Sequence, residues 1–377
     1  DIIANLSLWR TFPVISRNSS FAFKGKNVSA NDVAQELGAR YVVQGSIRKG
    51  GQRVRITAQL VDAEKDRQLW SERWDRSLED IFDVQDEVSA AVAAQVNPAI
   101  QIYEVERIER ARPTNLTAWE LYLKALHTFN ERTKADHYDP GVVEAKKMCE
   151  QVIELDKNMS HAYSLLADIY FAELQQFLSE DSSITLQEIY DYAKIASDLE
   201  PKNSVAANLI ASHFFFSGKF DKSKLYAERA VKLNPSFPEA LYRLGQSLVH
   251  SGNYSGAEQY YHKAISLSPL DPNSTTYKNG LFFANLGQGN FEIALSYNDE
   301  CRLQFPNVGT YKGFNAATLG HLNRDGEAKI ALKEYLALRP NLKKKSDYKK
   351  IFVPNSTLAD ILIEGLVKAS WQPEDEE

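Results

Sequence analysis

Gly45–Gly51 (GSIRKGG) is the stretch that comes nearest to a phosphate-holding loop, with glycines to expose backbone N–H groups and a lysine for charge. It lacks the Gly-Lys-Ser/Thr ending and lies between two alternating runs, so a hairpin turn accounts for it better. Asp83, Asp86 and Glu87 crowd one helical stretch, where acid–base work is conceivable but a solvated acidic face accounts for them. The seven histidines are scattered without His-Glu-x-x-His or paired ligand spacing, and His161 and His262 read as helix-surface residues. Cys149 and Cys301 are far apart and fall on expected helices as small apolar residues, with a single distant disulfide as the alternative. No Gly-x-Ser-x-Gly nucleophile motif occurs. Trp70 and Trp74 share one strand face and read as core rather than as a base-stacking platform. These readings assign no catalytic residue, no metal and no cofactor. What remains is a set of amides and rings: Asn208, Ser212, Phe215 and Phe216; Tyr242, Gln246 and His250; Asn279, Phe283 and His321. Amides hold backbone groups and rings supply contact area, which suits an extended peptide. For Phe215 and Phe283 the competing reading is inter-helix core.

The elements that would position this set follow from a repeat. Pro201, Pro235 and Pro269 are spaced by 34 residues. Counting back from Pro235 gives Ala230, Phe220, Gly218 and Ala211, and the same offsets from Pro269 give Ala264, Tyr254, Gly252 and Gly245. Pro306 and Pro340 repeat the spacing, with Ala294 and Ala328 in matching positions. A fixed period of this length marks stacked helical pairs, and 34 residues is the period of the tetratricopeptide (TPR) unit. Six pairs are expected, at about 116–157, 160–201, 204–235, 238–269, 273–306 and 308–340. Long links are expected at Asp136–Pro140 and Gln175–Thr185. Gly245, Ala211 and Ala257 mark close helix crossings, and Tyr254 and Tyr261 fill the spaces between pairs. The first helix of each pair lines the concave face, which places the amide-and-ring set there. A last helix, Thr357–Ser370, is expected to cap the stack.

Before Ser77 the period is that of strands. Ala39–Lys49 and Gln52–Ala63 alternate around Gly50-Gly51, which predicts a hairpin, and Gln68–Arg76 continues it as a meander. Ser29 and Gly38 bracket a short helix as N-cap and C′ residue. Phe12–Arg17 reads as another strand, and Asp1–Trp9 as the end of a helix. Leu78–Arg112 reads as one long helix, broken or kinked near Pro98, with Pro113 opening the repeats. The expected fold class is α+β: a small α/β domain with a mixed sheet, then an all-α TPR superhelix. The expected domains are 1–112, 113–342 and 343–377, the last holding the lysines at 343–345 and 349–350, the capping helix and an acidic tail.

With 377 residues, 44% apolar and 25% charged, the chain has the composition of a globular protein of two or more domains. Its net charge of −6 gives no sign of a nucleic-acid surface. No run approaches the roughly 18 apolar residues of a membrane span. The chain begins at Asp1 without methionine or a signal-like segment and reads as a piece of a longer protein.

Ser16–Gly25 (SRNSSFAFKG), DVAQELGARYVVQGSIRK, VRITAQLVDA and LWSERWDRSLEDIFDVQDEV carry a resemblance over roughly Asp1–Arg110. In order and wording they resemble the TolB amino-terminal-like domain that precedes TPR arrays in some bacterial class III adenylate/guanylate cyclases. The same pairing occurs in CadC-type membrane-spanning transcription regulators. ADILIEGLVKASWQPE is similar to the end of cyclase-linked arrays. The opening strand of that domain, reading like Leu-Pro-Phe, and its acidic-glycine stretch are absent. The resemblance implies a non-enzymatic regulatory or scaffolding region that binds a protein, peptide or small ligand, and it supplies no ligand residues to carry over. The alternatives are the periplasmic sensor half of a CadC-type regulator, an enzyme with an inter-domain active site, and a homodimerisation element. Membrane association would come only through upstream sequence, and the expected location is the cytoplasm, or the periplasm if a span precedes the chain.

Overall fold

The computed structural model describes residues 1–26, 28–77, 81–111, 116–130, 140–175, 182–267, 274–306, 308–350, 352 and 356–375. They divide into two compact units, 1–206 with 232–237, and 207–231 with 238–377. The first unit opens with α1 (Ile2–Trp9), α2 (Arg17–Phe21) and α3 (Ala30–Leu37). Three strands follow, β1 (Tyr41–Gly50), β2 (Arg53–Asp62) and β3 (Arg67–Ser77), and then α4 (Ile81–Ala111). Ser29 and Asp32 form a capping box at α3: Ser29 Oγ accepts from the Asp32 N–H at 3.1 Å, and the Asp32 carboxylate accepts from the Ser29 N–H at 3.2 Å. The Ser29 hydroxyl, which also donates to the carboxylate at 2.7 Å, and then the Ser29 N–H favour its ionised form and hold its pKa below the usual value.

The strands pair in the order β1-β2-β3 and are antiparallel throughout, so the described sheet is not mixed. Residues 12–16 are not strand, and Arg17 opens α2 instead. Pro13 has no N–H to give a ladder, and Phe12 turns its ring edge-on to Trp119 at 6.0 Å. Rows such as Ile47–Ile56–Trp74 run across the sheet. Val54, Ala58, Leu60 and Trp74 on that face bury against Val84, Val88, Val92 and Val96 of α4. Glu87 is not simply solvated, because Arg76 grips its carboxylate through Nε at 3.0 Å and Nη2 at 2.5 Å.

Helix α4 runs past Pro98 without interruption and serves two cores of this unit. Its first part covers the sheet, while Val105 and Ile108 join Leu121, Leu123 and Phe129 in the next core. Tyr41 donates its hydroxyl to Glu104, tying α4 to β1 beyond the proline. That second core is built from α5 (Ala118–Asn130), α6 (Pro140–Leu155) and α7 (Ser160–Gln175), with α8 (Ser182–Leu199) packed on α7. The links expected at 136–140 and 175–185, and the opening of the repeats at 113–115, fall largely or wholly outside the described residues.

α9 (Ser204–Phe216) and α10 (Phe220–Leu233) contribute to both units. The second unit continues with α11 (Pro238–His250), α12 (Tyr254–Leu267), α13 (Ser274–Gln288), α14 (Phe291–Gln304), α15 (Gly309–His321) and α16 (Asp325–Leu338). The turn inside each of these four pairs places one residue at positive φ: Gly218, Gly252, Gly289 and, in the last, Asn323. Glycine and asparagine are the residues that adopt this backbone most readily. Between pairs, the Tyr261 ring of α12 lies against Gly245 of α11 and Gly280 of α13. A Cβ on Gly245 would stand 2.6 Å from Tyr261 Cε1, and one on Gly313 would stand 2.8 Å from Tyr335 Cε2. Cys149 on α6 and Cys301 on α14 are buried free thiols, and burial pushes both up to about 12.

The chain closes with α17 (Lys345–Lys349) and α18 (Leu358–Lys368). Helix α18, the one expected to cap the exposed end of the stack, lies along α15 and reaches α13. Gly365 and Gly320 make this lateral seat: a Cβ on either would run into backbone of the other helix, the Ala317 carbonyl for Gly365 and the Gly365 carbonyl for Gly320. Leu358, Leu362 and Leu366 are buried in the same core as Phe282 and Phe314.

Replacing Gly245 by valine should destabilise the second unit by about 1–3 kcal/mol through overpacking against Tyr261. Gly326→Ala, where a Cβ meets open space within a helix, should be neutral or stabilising by up to about 1 kcal/mol. Urea denaturation of the two variants beside the parent chain checks both.

Candidate functional site

The first helices of successive pairs, α9, α11 and α13, carry Asn208, Tyr242 and Asn279 at corresponding places in their opening turns. α11 packs on α13, so the latter two belong to one surface. Asn208 is 9% exposed, and its Oδ1 is buried with no donor among the described residues. The Asn279 Oδ1 is in the same condition. Between these amides in the sequence order stands a linked polar group. Gln246 Nε2 donates to the Tyr242 hydroxyl at 2.6 Å, and Arg243 Nη1 donates to Gln246 Oε1 at 2.5 Å. The Arg243 guanidinium sits 5.0 Å from the centre of the Phe215 ring and 5.6 Å from that of Phe216, within cation–π range.

The Tyr242 ring packs near Tyr261 and Tyr277, at 5.8 and 5.6 Å between centroids. Burial pushes its phenol up to about 12, against the opposing influence of the Arg243 charge. It stays a neutral hydroxyl that can donate onward while accepting from Gln246. Arg243 is the member that the sequence reading missed. Its signal was a lone cation in PEALYRLGQSLV, three residues before Gln246 and one helical turn away.

The other expected residues are engaged within the protein. Ser212 is 1% exposed and donates to the Asn208 carbonyl at 3.0 Å, a bond within its own helix. Phe215 is buried as core, and Phe216 is half-buried beside it. His250 lies among Phe215, Phe220 and Phe283, and its Nδ1 meets Ser356 Oγ at 2.8 Å. His321 stacks on Phe291 with centroids 4.3 Å apart, and its Nε2 donates to the Ile361 carbonyl at 2.8 Å. Tyr254 and Thr357 join hydroxyls at 2.9 Å. The carboxy-terminal segment therefore occupies the ends of α11 and α15. Among the described residues, no hydrogen bond from that segment reaches Asn208, Tyr242, Gln246 or Asn279. His161, expected on a helix surface, packs against Trp119 and Tyr122, and burial lowers its pKa.

Among the described residues no group of histidine, cysteine or carboxylate side chains could hold a metal ion, and no helix is long and apolar enough to cross a membrane. Lys349 and Lys368 are paired with Asp360 and Glu364, at 2.7 and 2.8 Å.

Burial, aided by the Arg243 charge, lowers His250 from 6.5 to about 4. The unfolded chain therefore takes up a proton between these values that the folded chain refuses. The stabilisation is complete above pH 6.5 and is lost as pH falls toward 4, by about 3 kcal/mol at most. Thermal melts from pH 7.5 to 4 should show this loss in the parent and a shallower one in His250→Phe.

Residues 208–272 match the tetratricopeptide repeat family model. Putative adenylate cyclase 3 of Rhizobium meliloti (strain 1021) is 39% identical over 172 residues, which are 45% of this chain and 28% of that protein. The chain thus spans well under two thirds of that relative. Among solved structures, the APC/C hetero-tetramer Cut9-Hcn1 aligns over 74% of this chain and 48% of its own, at 15% identity with a TM-score of 0.51. The TPR protein YrrB aligns over 51% and 93%, at 18% identity with a TM-score of 0.38. Residues 208–272 are thus similar to tetratricopeptide repeats, and the helical pairs share the fold of the aligned part of Cut9-Hcn1, joined in this chain to a small three-stranded antiparallel sheet.

Proposed function

We propose that this chain is a non-catalytic regulatory and scaffolding region of a bacterial adenylate or guanylate cyclase, working in the cytoplasm. In this reading residues 1–112 are a TolB amino-terminal-like domain, 113–342 a TPR array and 343–377 its closing segment. The 39% identity to a putative adenylate cyclase supports the link to cyclases. The array's first-helix face takes an extended peptide or protein segment.

The observation that carries the binding reading is the pair of buried amide oxygens, Asn208 Oδ1 and Asn279 Oδ1, that have no donor among the described residues. A buried acceptor left unpaired costs roughly 1–3 kcal/mol, a cost that a partner's N–H would remove once the side-chain amide turned outward to meet it. Packed helices lie about 8–10 Å apart, and an extended chain rises about 3.3 Å per residue. A peptide crossing α9, α11 and α13 would offer one backbone group to each helix every three residues. Tyr242 and Gln246 supply the hydroxyl and amide between the two asparagines.

Peptides selected by display against the parent chain provide the test. Asn279→Leu, which removes an orphaned acceptor, should leave stability unchanged or raised while weakening the selected peptide at least tenfold, and Gln246→Ala should weaken it as well. Unchanged calorimetric affinity in both variants would sink the assignment. The chain alone, incubated with ATP and Mg²⁺, should form no cyclic nucleotide.

A further inference from the structure

The direction of each proton in the Arg243–Gln246–Tyr242 group follows from what each side chain can do. An arginine guanidinium donates hydrogen bonds and accepts none. The end of Gln246 that meets Arg243 Nη1 at 2.5 Å is therefore its Oε1, since turning the amide end for end would set two donors face to face. That leaves Nε2, which can only donate, against the Tyr242 oxygen at 2.6 Å. Tyr242 accepts there, so its own O–H proton points elsewhere. Among the described residues that proton meets no acceptor, because the bond from Gln246 is the one hydrogen bond of Tyr242.

The three side chains differ in depth. Arg243 is 4% exposed, whereas Tyr242 and Gln246 are half-buried. The guanidinium lies against the Phe215 and Phe216 rings, and the Tyr242 ring is held by those of Tyr261 and Tyr277. A molecule on this face thus meets the phenol and not the cation. The charge still acts through the chain of bonds, since each hydrogen bond in such a series polarises the next and strengthens it by roughly 10–30%.

We propose that Arg243, acting through Gln246, fixes Tyr242 as an outward donor, so that the ligand brings a main-chain carbonyl oxygen to this point of the face. The inference rests on the proposed binding of an extended segment to the first-helix face. It adds a polarity that residue types alone do not give, because a tyrosine hydroxyl and a glutamine amide can each donate or accept. The ligand then presents an acceptor at Tyr242 and N–H groups at Asn208 and Asn279, and an extended main chain carries both kinds of group. A carboxylate fits less well, because the cation that would pair with it is buried. An ammonium group does not fit, because it has no lone pair for the phenol proton. Arg243 is a positioning residue, since it shapes this contact without touching the ligand.

The test uses a peptide selected by display against the parent chain, with affinities read by calorimetry. Tyr242→Phe, which keeps the ring and removes the proton, should weaken it at least fivefold. Gln246→Glu should weaken it at least threefold more than Gln246→Ala, although glutamate has nearly the shape of glutamine. Its carboxylate would accept from Arg243 and Tyr242 together and so capture the phenol proton. In a Tyr242→Phe background the two Gln246 variants should bind alike. Arg243→Met should weaken the peptide at least fivefold in the parent and less than twofold in a Gln246→Ala background, whereas a general loosening of the fold would persist there. If Arg243→Met fails to fold in urea denaturation, the Gln246 variants decide. Gln246→Glu binding as well as Gln246→Ala, or a difference that persists with Tyr242→Phe, overturns the proposal. Replacing the peptide's acidic residues and carboxy terminus by amides should leave the Tyr242→Phe loss unchanged, and its disappearance would overturn the proposal in favour of a carboxylate. A loss with Asn279→Leu but none with Tyr242→Phe would overturn this inference while leaving the first-helix face as the site.

Discussion

The contact on which the repeats depend is an aromatic ring seated where neighbouring helices carry glycine. Tyr261 fills the space beside Gly245 and Gly280, Tyr254 lies against Gly287, and Tyr335 against Gly313. A single helical pair cannot bury its apolar face, so each pair is stable only through its neighbours. The ring and the missing Cβ set how closely those neighbours approach. They also set how far apart the first helices stand, and hence the spacing of Asn208, Tyr242 and Asn279. Alanines with no exposed surface at 211, 257, 264, 294 and 328 keep the remaining approaches close.

α4 has a comparable role in the first unit. Its apolar residues serve the sheet core before Pro98 and the first repeat core after it. A proline inside a helix removes one ladder bond and crowds the preceding turn, but burial on both sides of it holds the helix together. Tyr41 to Glu104 and Trp70 to Gln95 add polar ties between helix and sheet. A load placed on the sheet would thus reach the opening repeat through one secondary element rather than through a loop.

The first-helix face offers buried polar atoms in fixed positions, where a hydrogen bond is worth most because water is excluded. Its polarity is set from within the protein. Arg243 can only donate, so Gln246 turns its oxygen toward the arginine and its N–H toward Tyr242, whose proton is left for a ligand.

Much of this organisation was legible in the residues. The prolines and small residues at a spacing of 34 gave the helical pairs, the tyrosine and glycine positions gave the close approaches, and Gly50-Gly51 gave the hairpin. All of these are local or periodic signals, produced by contacts between sequence neighbours or adjacent repeats. The strand expected at Phe12–Arg17 misled because an apolar run resembles a strand until one asks what it pairs with. The availability of the site residues was not legible at all. His250 meets Ser356 across 106 positions, and His321 meets Ile361 across 40. These contacts exist because Gly320 and Gly365 let α18 settle sideways onto α15 rather than extend the stack. A repeat pattern specifies what each pair presents to the next one. Whether a non-repeating segment returns to cover that face depends on shape matching between distant residues, which no period encodes.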